Sequence, residues 1–405
     1  MSSGTADPKP SSSHPLPSAC FTFGSSDDSG AGRMGFYFAK EFRRRGWNVT
    51  AMCPPPPPGQ GSVVTRLEDV GVAVEIFGQV SGRPDTGIVR TLKRHLVRTG
   101  ARVVVSMHQQ DMKFAACAGM LASVPYVASG QNTFTFSGGA ARRWVAARTL
   151  QALLRWHCSG VIATSQRVAD EFRGLLGYRG PLEIQPNGVD TGLFAGARAA
   201  REKVRSTLAA TPVDRVVVSV GRITRQKNQL GLVEAFARAF PADAPHSGST
   251  HLWMVGAPAQ TAEDQEYFRQ VEGRISGLGL GGRARVTGWR KDIPDILAAA
   301  DLYVQASLWE GSPLAVLEAM AAGLPVIVAD NGGVLPDFQP GTHGWIIPAG
   351  NTEALASVLQ EALKVGHAAL DARGQAAREL VTRRYDSAAV AGRFFELATA
   401  HAGCR

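Results

Sequence analysis

The chain has 405 residues, of which 44% are hydrophobic and 19% are charged, and its net charge is +9. This length suggests two or three domains of ordinary size, each able to bury a sizeable core. No apolar run approaches the ~18 residues of a membrane-spanning helix, and the amino terminus lacks the basic-then-apolar order of a signal peptide. We therefore expect a cytoplasmic protein.

The positive charge is concentrated in the first half of the chain. Residues 1–190 hold 21 Lys and Arg against 13 Asp and Glu, whereas residues 191–405 hold 22 against 21. A basic first half favours anionic partners such as phospholipid headgroups, lipid-phosphate acceptors or nucleic acid. A purely solubilising role for these arginines is an equal alternative.

The five cysteines are odd in number, far apart and without a CxxC pair. This pattern argues against a disulfide framework or a structural zinc site, and it fits a reducing cytoplasm.

Short apolar runs alternate with helical patterns along the chain, which predicts βαβ units and parallel sheets. After a Ser- and Pro-rich tail at 1–17, expected to be disordered, first-half strands are predicted at 19–23, 48–53, 72–77, 102–107, 126–129 and 161–164, with a loop at 24–32 and a helix at 36–45. Second-half strands are predicted at 215–220, 252–255, 284–287, 302–305, 325–329 and 344–347. Two doubly wound lobes are therefore expected, with the break between them near 186–200, where Pro-Asn-Gly is followed by a polar, Ala-rich stretch.

One second-half segment combines a helix start with two carboxylates. Ser312 is a good N-cap, Pro313 suits the first helical position, and Gly323 can end the helix in the left-handed conformation. Glu310 then lies at the carboxyl edge of the sheet, where ligands bind in open α/β folds, and Glu318 lies within the helix. A helix amino terminus can bind phosphate, and carboxylates accept hydrogen bonds from sugar hydroxyls. Taken alone, the two carboxylates could equally be solvated.

A second segment places two cations after another strand. Gly221 lets the backbone turn, and Asn228 is a plausible helix cap. Arg222 and Lys227 can point at the same sheet edge, where they would stabilise a departing diphosphate. Two solvated surface cations are the commoner alternative.

Together with three further segments, these two resemble the GT-B glycosyltransferases of family 4, also called glycosyl transferases group 1. The five matching segments lie at 186–190, 221–228, 288–301, 310–326 and 331–350. The resemblance covers roughly residues 18–400 and is strongest across 186–355. Five ordered segments are far more specific than any one of them.

The resemblance implies an α/β architecture of two Rossmann-like lobes with a cleft between them. Residues 18–190 would form the acceptor lobe, joined by a last helix at 386–402, and residues 191–385 would form the donor lobe. It also implies a sugar transferase that retains anomeric configuration, uses a nucleotide-diphosphate sugar, more often UDP than GDP, and needs no metal or cofactor. No Asp-x-Asp sequence is present, consistent with metal independence.

Carried over to this sequence, the resemblance assigns roles to individual residues. Arg222 and Lys227 would bind the donor diphosphate, and Glu310 would lie near the transferred sugar. Glu318 would hold the ribose hydroxyls. The backbone that approaches the phosphates would come from Gly221, Gly311, Ser312, Pro313 and Leu314.

The first lobe departs from the family pattern in the loop after its first strand, which usually carries paired glycines. Ser29 stands at the first of these positions. Gly30 and Gly32 can still let the backbone approach a ligand, because neither carries a Cβ. We predict Gly30 on the donor side of the cleft and Gly32 on the acceptor or sugar side.

A second departure concerns a histidine that many members carry after the strand at 126–129. Gln131, followed by Asn132, stands here instead. Gln can hydrogen-bond a sugar hydroxyl but cannot act as a general base near neutral pH. His108, after the strand at 102–107, remains as the candidate catalytic histidine, and capping of a helix is the equal alternative.

The segment 140–157 is basic and partly amphipathic, with arginines and tryptophans interleaved: Arg142, Arg143, Trp144, Arg148, Arg155 and Trp156. It could lie on an anionic membrane surface, giving a peripheral contact. We favour an ordinary helix that covers the sheet. The expected acceptor is a hydroxyl compound, lipid-linked and anionic molecules being candidates, and no nucleic-acid partner is expected.

Other functions on the same fold stay open. A nucleotide-sugar hydrolase or epimerase would keep the donor site, whereas a non-catalytic binding protein would have lost its cations or carboxylates. A dehydrogenase is disfavoured, because neither GxGxxG sequence stands in the required place: the one at 30–35 does not directly follow its strand, and the one at 277–282 precedes a strand.

Overall fold

Two parallel sheets form the framework of the computed structural model, which describes residues 16–56, 62–78, 85–134, 139–196, 200–241 and 249–404. The side chains of Ala140 and Arg142 are also outside the described part. Almost all of the expected tail at 1–17 lies outside the described residues.

The first lobe contains, among the described residues, a seven-stranded parallel sheet in the order β3-β2-β1-β4-β5-β6-β7. Its strands are β1 Ser18–Thr22, β2 Asn48–Cys53, β3 Ala73–Ile76, β4 Ala101–Ser106, β5 Tyr126–Gly130, β6 Cys158–Ala163 and β7 Leu182–Ile184. Its helices are α1 Gly30–Arg44, α2 Val63–Asp69, α3 Thr86–Thr99, α4 Gln109–Ala122, α5 Ala140–His157 and α6 Gln166–Gly174. The last strand, β7, had not been predicted.

The second lobe repeats this plan with a six-stranded sheet, within the described residues, in the order β10-β9-β8-β11-β12-β13. Its strands are β8 Arg215–Val220, β9 Thr250–Val255, β10 Ala284–Val286, β11 Leu302–Gln305, β12 Val326–Asp330 and β13 Gly344–Pro348. Its helices are α7 Arg201–Thr207, α8 Gln229–Ala239, α9 Ala262–Gly277, α10 Ile293–Ala299, α11 Leu314–Ala321, α12 Thr352–Lys364 and α13 His367–Arg384. The predicted architecture of two doubly wound lobes is confirmed.

The strand order locates a binding crevice in each lobe. In each sheet the second and third strands of the chain lie on one side of the first strand, and the later strands lie on its other side. The order therefore reverses between β1 and β4, and again between β8 and β11. Ligands of open α/β sheets bind at such a reversal, beside the carboxyl ends of the strands.

The final helix, α14 (Ser387–His401), packs on the first lobe. Phe394 stacks on Phe38 of α1 with ring centroids 3.7 Å apart. A Cβ on Gly160 of β6 would lie 2.2 Å from His401, so α14 also sits tightly on the sheet. None of the described helices has the length and hydropathy to cross a membrane.

Helix α1 begins earlier than the sequence pattern predicts. Residues 24–32 were expected as a loop, but α1 starts at Gly30, with Ser29 as an extended N-cap. A Cβ on Gly32 would lie 2.5 Å from the carbonyl oxygen of Asp27, so close packing of the first helical turn requires glycine there. The glycines had suggested a loop at these positions. In the structure they belong to the first turn of α1, where Gly32 lets the helix pack against the backbone of Asp27.

Candidate active site

The loops after β8 and β11 meet at the crevice of the second lobe. The Nζ of Lys227 donates to Oε1 of Glu310 at 2.5 Å. Gln226 ties the same two loops together, because its carbonyl accepts from Leu308 N at 2.8 Å and its Nε2 donates to Trp309 O at 2.9 Å. Two segments separated by about eighty residues therefore form one site.

Glycine backbones make room for Lys227. Gly221 has a φ of +156°, and a Cβ there would lie 3.3 Å from Cε of Lys227. A Cβ on Gly256, at the end of the neighbouring β9, would lie 1.9 Å from the carbonyl oxygen of Gly221. A side chain at Gly256 would therefore displace the turn that carries the lysine.

Arg222 is separate from the Lys227–Glu310 pair. Its side chain is exposed and forms no ion pair with a described residue. Its backbone carbonyl accepts from Nε2 of Gln229 at 2.8 Å, which fixes the turn rather than the guanidinium. Asn228 precedes α8 as predicted, but its side chain donates to the carbonyl of Ala306 at 3.3 Å instead of capping the helix.

The start of α11 corrects the predicted cap. The N-cap is Pro313, with Leu314 as the first helical residue, rather than Ser312. The Oγ of Ser312 accepts from Asn187 N at 3.0 Å, and Nδ2 of Asn187 donates to Ser312 O at 2.9 Å. The Ser312 hydroxyl, which the local sequence pattern assigned to the helix cap, is therefore bound by Asn187 instead. As predicted, Gly323 follows the helix with a φ of +82°.

Glu318 lies inside α11 and receives its partner from the other lobe. Its side chain is 7% exposed and forms an ion pair with Nη1 of Arg33 in α1. Glu318 is the chief cause of the raised pKa of Arg33. The Nε of Arg33 is buried without a hydrogen-bond partner among the described residues. Arg33 was not predicted as a site residue.

A buried tyrosine shows that the two carboxylates share one region. Burial raises the pKa of Tyr303 in β11 above its usual range, and the negative charges of Glu310 and Glu318 raise it further. Its hydroxyl donates to the carbonyl of Val220 at the end of β8, at 3.5 Å. Glu310, which pairs with Lys227, and Glu318 therefore both lie near enough to Tyr303 to affect its hydroxyl.

The two lobes touch at the rim of this crevice. A Cβ on Gly30 would lie 3.4 Å from Leu314, so the amino termini of α1 and α11 face each other. A Cβ on Gly311 would lie 2.6 Å from the carbonyl oxygen of Gln131 in the first lobe. Gly32 does not face the second lobe, because the Asp27 carbonyl occupies its open side.

His108 lies at the crevice of the first lobe, as the N-cap residue of α4. Its Nδ1 accepts from Gly24 N at 3.3 Å, which places the ring proton on Nε2. Burial lowers its pKa to about 4. His108 is therefore neutral near pH 7, and it can offer the Nε2 proton as a hydrogen-bond donor more readily than it can accept a proton.

Gln131 follows β5, the strand next to β4, and its side chain is fixed by a hydrogen bond. Its Nε2 donates to Oγ of Ser129 at 2.8 Å, and its buried Oε1 has no partner among the described residues. That oxygen could accept a hydrogen bond from a sugar hydroxyl. Asn132, the next residue, is exposed.

Asp111 is a buried group of the first lobe that sequence analysis missed. It accepts hydrogen bonds from Thr22 Oγ1 at 2.5 Å, Met107 N at 3.2 Å and His108 N at 2.9 Å. Burial raises its pKa to about 7. An acidic residue within the apolar stretch at 111–120 was the available signal. Among the described residues, no cluster of three His, Cys, Asp or Glu is arranged to hold a metal ion.

Two family models match the chain, one on each lobe. The model of glycosyl transferases group 1 matches residues 200–379. The model of glycosyltransferase family 4 matches residues 29–193.

Two curated relatives match over part of their length. The chain is 36% identical over 159 residues to the UDP-Gal:alpha-D-GlcNAc-diphosphoundecaprenol alpha-1,3-galactosyltransferase of Escherichia coli, covering 38% of this chain and 39% of that protein. It is 28% identical over 232 residues to the lipopolysaccharide core biosynthesis glycosyltransferase LpsE of Rhizobium meliloti, covering 55% of this chain and 60% of that protein. The alignments therefore span less than two thirds of either relative.

The fold also matches a solved structure over nearly its whole length. Anabaena Alr3699/HepE in complex with UDP-glucose superposes with a TM-score of 0.81 at 23% identity, covering 95% of this chain and 99% of that one. At this identity the likeness establishes the GT-B fold.

Proposed function

Because this chain belongs to the GT-B glycosyltransferases of family 4, we propose that it transfers a sugar from a nucleotide-diphosphate sugar to a hydroxyl acceptor. The observation that carries the proposal is the meeting of Lys227 and Glu310 at 2.5 Å where the strand order reverses. Glu318 lies in α11, the helix that begins four residues after Glu310.

The crevice offers a complementary group to each part of such a donor. A diphosphate would bind Lys227 and the backbone N–H groups at the start of α11, and Arg222 would turn toward it from the exposed loop. The ribose hydroxyls would donate to Glu318. The sugar would lie against Glu310, because ionised carboxylates are strong acceptors of hydroxyl hydrogen bonds.

The Lys227–Glu310 pair explains how these charges are kept in a buried crevice. Glu310 is 7% exposed and Lys227 is 24% exposed in their side chains, so each alone would carry a large desolvation penalty. A bound donor would replace this pairing by supplying phosphate oxygens to the lysine and sugar hydroxyls to the carboxylate. Negative charge then grows on the leaving diphosphate as the glycosidic bond breaks, and Lys227 stabilises it.

We propose UDP as the nucleotide and retention as the stereochemical course. Two findings support UDP: the E. coli relative is named for a UDP-linked galactose, and the Anabaena structure contains UDP-glucose. Retention follows from the family resemblance, which also implies that no metal or cofactor is needed. EDTA should therefore leave turnover unchanged.

The acceptor would bind the first lobe, where neutral groups line the edge. His108 can donate from Nε2 and Gln131 can accept at Oε1, so both suit a hydroxyl compound. The basic first half and the diphosphoundecaprenol acceptor named for the E. coli relative support a lipid-linked, anionic acceptor.

Thermal stabilisation by a panel of nucleotide sugars tests the donor assignment. We expect a UDP-sugar to raise the melting temperature of the wild type and of Arg225→Ala, but not of Lys227→Ala. Arg225 is the matched control, because it lies on the same short 3-10 helix as Lys227, Arg225–Lys227, with a side chain 61% exposed and 4.0 Å from Glu263. Equal stabilisation of all three proteins would contradict the site.

Product analysis by NMR, with and without acceptors, tests the reaction. Sugar transfer with an unchanged anomeric configuration is expected. Release of free sugar regardless of acceptor would indicate a hydrolase, and an epimerised nucleotide sugar would indicate an epimerase.

A further inference from the structure

The outer face of α5 exposes two tryptophans. Trp144 is 62% exposed and Trp156 is 77% exposed. The opposite side of the helix is anchored in the first lobe through Leu150 and Leu154, which are buried. The tryptophans are therefore not needed to hold α5 on the sheet, and large exposed aromatic side chains are a feature of binding surfaces.

Arginines lie between the tryptophans along the helix. Arg148 and Arg155 follow Trp144 by four and eleven positions, which places these three on one side of α5, whereas Trp156 lies about 120° further round the helix. The guanidinium of Arg148 lies 5.6 Å from the ring centroid of Trp144. Residues 140–157 contain no Asp or Glu, and neither Arg148 nor Arg155 forms an ion pair with a described residue.

Apolar side chains of α4 extend this surface. Met120 is 44% exposed and Leu121 is 53% exposed. Met120 and Trp156 line one open depression between the two helices, together with Pro125 and the polar Ser123, His157 and Ser159. The name α5 face is used below for Met120, Leu121, Trp144, Arg148, Arg155 and Trp156.

We propose that the α5 face docks on an anionic membrane surface. Tryptophan prefers the headgroup region of a bilayer, where its ring is apolar and its N–H is hydrated. Arginines on the same face would be attracted by anionic lipids, and the face lacks carboxylates that would be repelled. Because the inner side of α5 is already buried in the lobe, docking inserts side chains rather than the whole helix.

Docking through Trp144 and Arg148 would hold the cleft end of α5 at the lipid, whereas Trp156 lies at the other end of the helix. Helix α5 follows β5 through the segment that begins at Gln131 and Asn132. It therefore starts at the carboxyl edge of the sheet, on the side of the cleft, with Trp144 in its second turn. If the proposed function holds, a lipid-linked acceptor could reach Gln131 and His108 without leaving the membrane.

Flotation of the full-length protein with vesicles tests the docking. We expect binding to phosphatidylcholine vesicles containing 30% phosphatidylglycerol, and at least about tenfold weaker binding to phosphatidylcholine alone. Salt should weaken the binding, because exposed charges are screened. Both Trp144→Ala/Trp156→Ala and Arg148→Glu/Arg155→Glu should reduce it at least about tenfold.

The second lobe offers a matched control. Trp289 is 57% exposed, and Nζ of Lys291 lies 5.6 Å from its ring centroid, so this pair resembles Trp144 and Arg148. Trp289→Ala/Lys291→Glu should bind vesicles like the wild type. A loss in this control equal to that of the α5 variants would show that any exposed aromatic and cation suffice, and would overturn the proposal.

Three other outcomes would also overturn it: no binding of the wild type to anionic vesicles, full binding by both α5 variants, or a dimer in light scattering that both variants dissociate. The last would identify the α5 face as a self-association surface. Stabilisation by nucleotide, measured on the same variants, separates this proposal from the proposed function. A variant that keeps that stabilisation while losing vesicle binding has a folded donor site.

Discussion

The two sheet edges that face each other across the cleft differ in chemistry. The second lobe presents charged side chains, with Lys227 paired to Glu310 at 2.5 Å and Glu318 in the helix that follows. The first lobe presents two neutral hydrogen-bonding groups, His108 held by Gly24 and Gln131 held by Ser129, and one cation, Arg33, which pairs with Glu318. Charged groups suit a diphosphate, whereas neutral groups suit hydroxyls, so the proposed donor and acceptor sides differ in chemistry.

The net charge of the two lobes is distributed differently from the charges at their cleft edges. The first half of the chain holds almost all of the net positive charge, yet His108 and Gln131 at its cleft edge are uncharged near pH 7. Exposed arginines of α5 hold part of that charge on the outer surface. The net charge of a lobe therefore indicates which partners its outer surface attracts. The side chains at the strand ends indicate which ligand groups its cleft can bind.

The largest effect should come from removing the cation of the charged edge. Lys227→Ala should lower kcat/KM on the order of 10²–10³-fold, because a preorganised charge at the leaving group is lost. Steady-state kinetics with a UDP-sugar measures this, and Arg225→Ala should stay close to the wild type. Turnover of Lys227→Ala at the wild-type rate would refute the role.

A smaller effect is expected from Glu318→Gln. Loss of the charge on a hydrogen-bond acceptor should weaken UDP binding by about tenfold, since such hydrogen bonds contribute ~1.5–3 kcal/mol. Isothermal titration calorimetry measures the Kd. Glu263→Gln is the control, because that carboxylate is 79% exposed on the same lobe. An unchanged Kd for Glu318→Gln would remove Glu318 from the site.

Arg33 of the first lobe pairs with Glu318 of the second lobe, so the effect of replacing Arg33 should depend on Glu318. Arg33→Ala should weaken UDP binding severalfold in the wild type but hardly at all in Glu318→Gln, because the guanidinium acts through that carboxylate. A double-mutant cycle on the Kd should give a coupling of at least about 0.5 kcal/mol. Additive effects would show that Arg33 does not position Glu318.

The smallest effect concerns the neutral edge and appears as a pH dependence of stability. The native pKa of His108 is lowered to about 4, below its ordinary value of 6.5. Between these values the unfolded chain binds more protons, so the stability contributed by neutral His108 is complete above pH 6.5 and is lost as the pH falls toward 4.

His108→Gln should therefore lose less free energy of unfolding than the wild type between pH 7 and 4.5, as denaturant unfolding can measure. Asp111 changes the free energy of unfolding with pH in the opposite direction, because its pKa is raised to about 7. Since both proteins contain Asp111, its contribution cancels in the comparison. An identical decrease in the two proteins would contradict the buried, neutral state of His108.

Local sequence predicted the second lobe well, because its determinants lie within short segments. The apolar run before Gly221 forms β8, and Gly323 ends α11 with positive φ, as its position indicated. Likewise, the parallel, doubly wound sheet followed from the alternation of apolar runs with helical patterns.

Contacts between distant segments could not be predicted in this way. Ser312 has the local pattern of an N-cap, but its hydroxyl is bound by Asn187, 125 residues earlier. Arg33 and Glu318 are 285 residues apart and meet only when the lobes assemble. The three-residue β7 carries a central Glu183 and has too little apolar pattern to be recognised alone.

A crystal structure of the protein with UDP would test the central claim most directly. We predict the diphosphate between Lys227 Nζ and the amino terminus of α11, with the ribose hydroxyls on Glu318 and the Lys227–Glu310 contact opened. A diphosphate bound elsewhere, with that contact intact, would contradict the assignment of the charged edge.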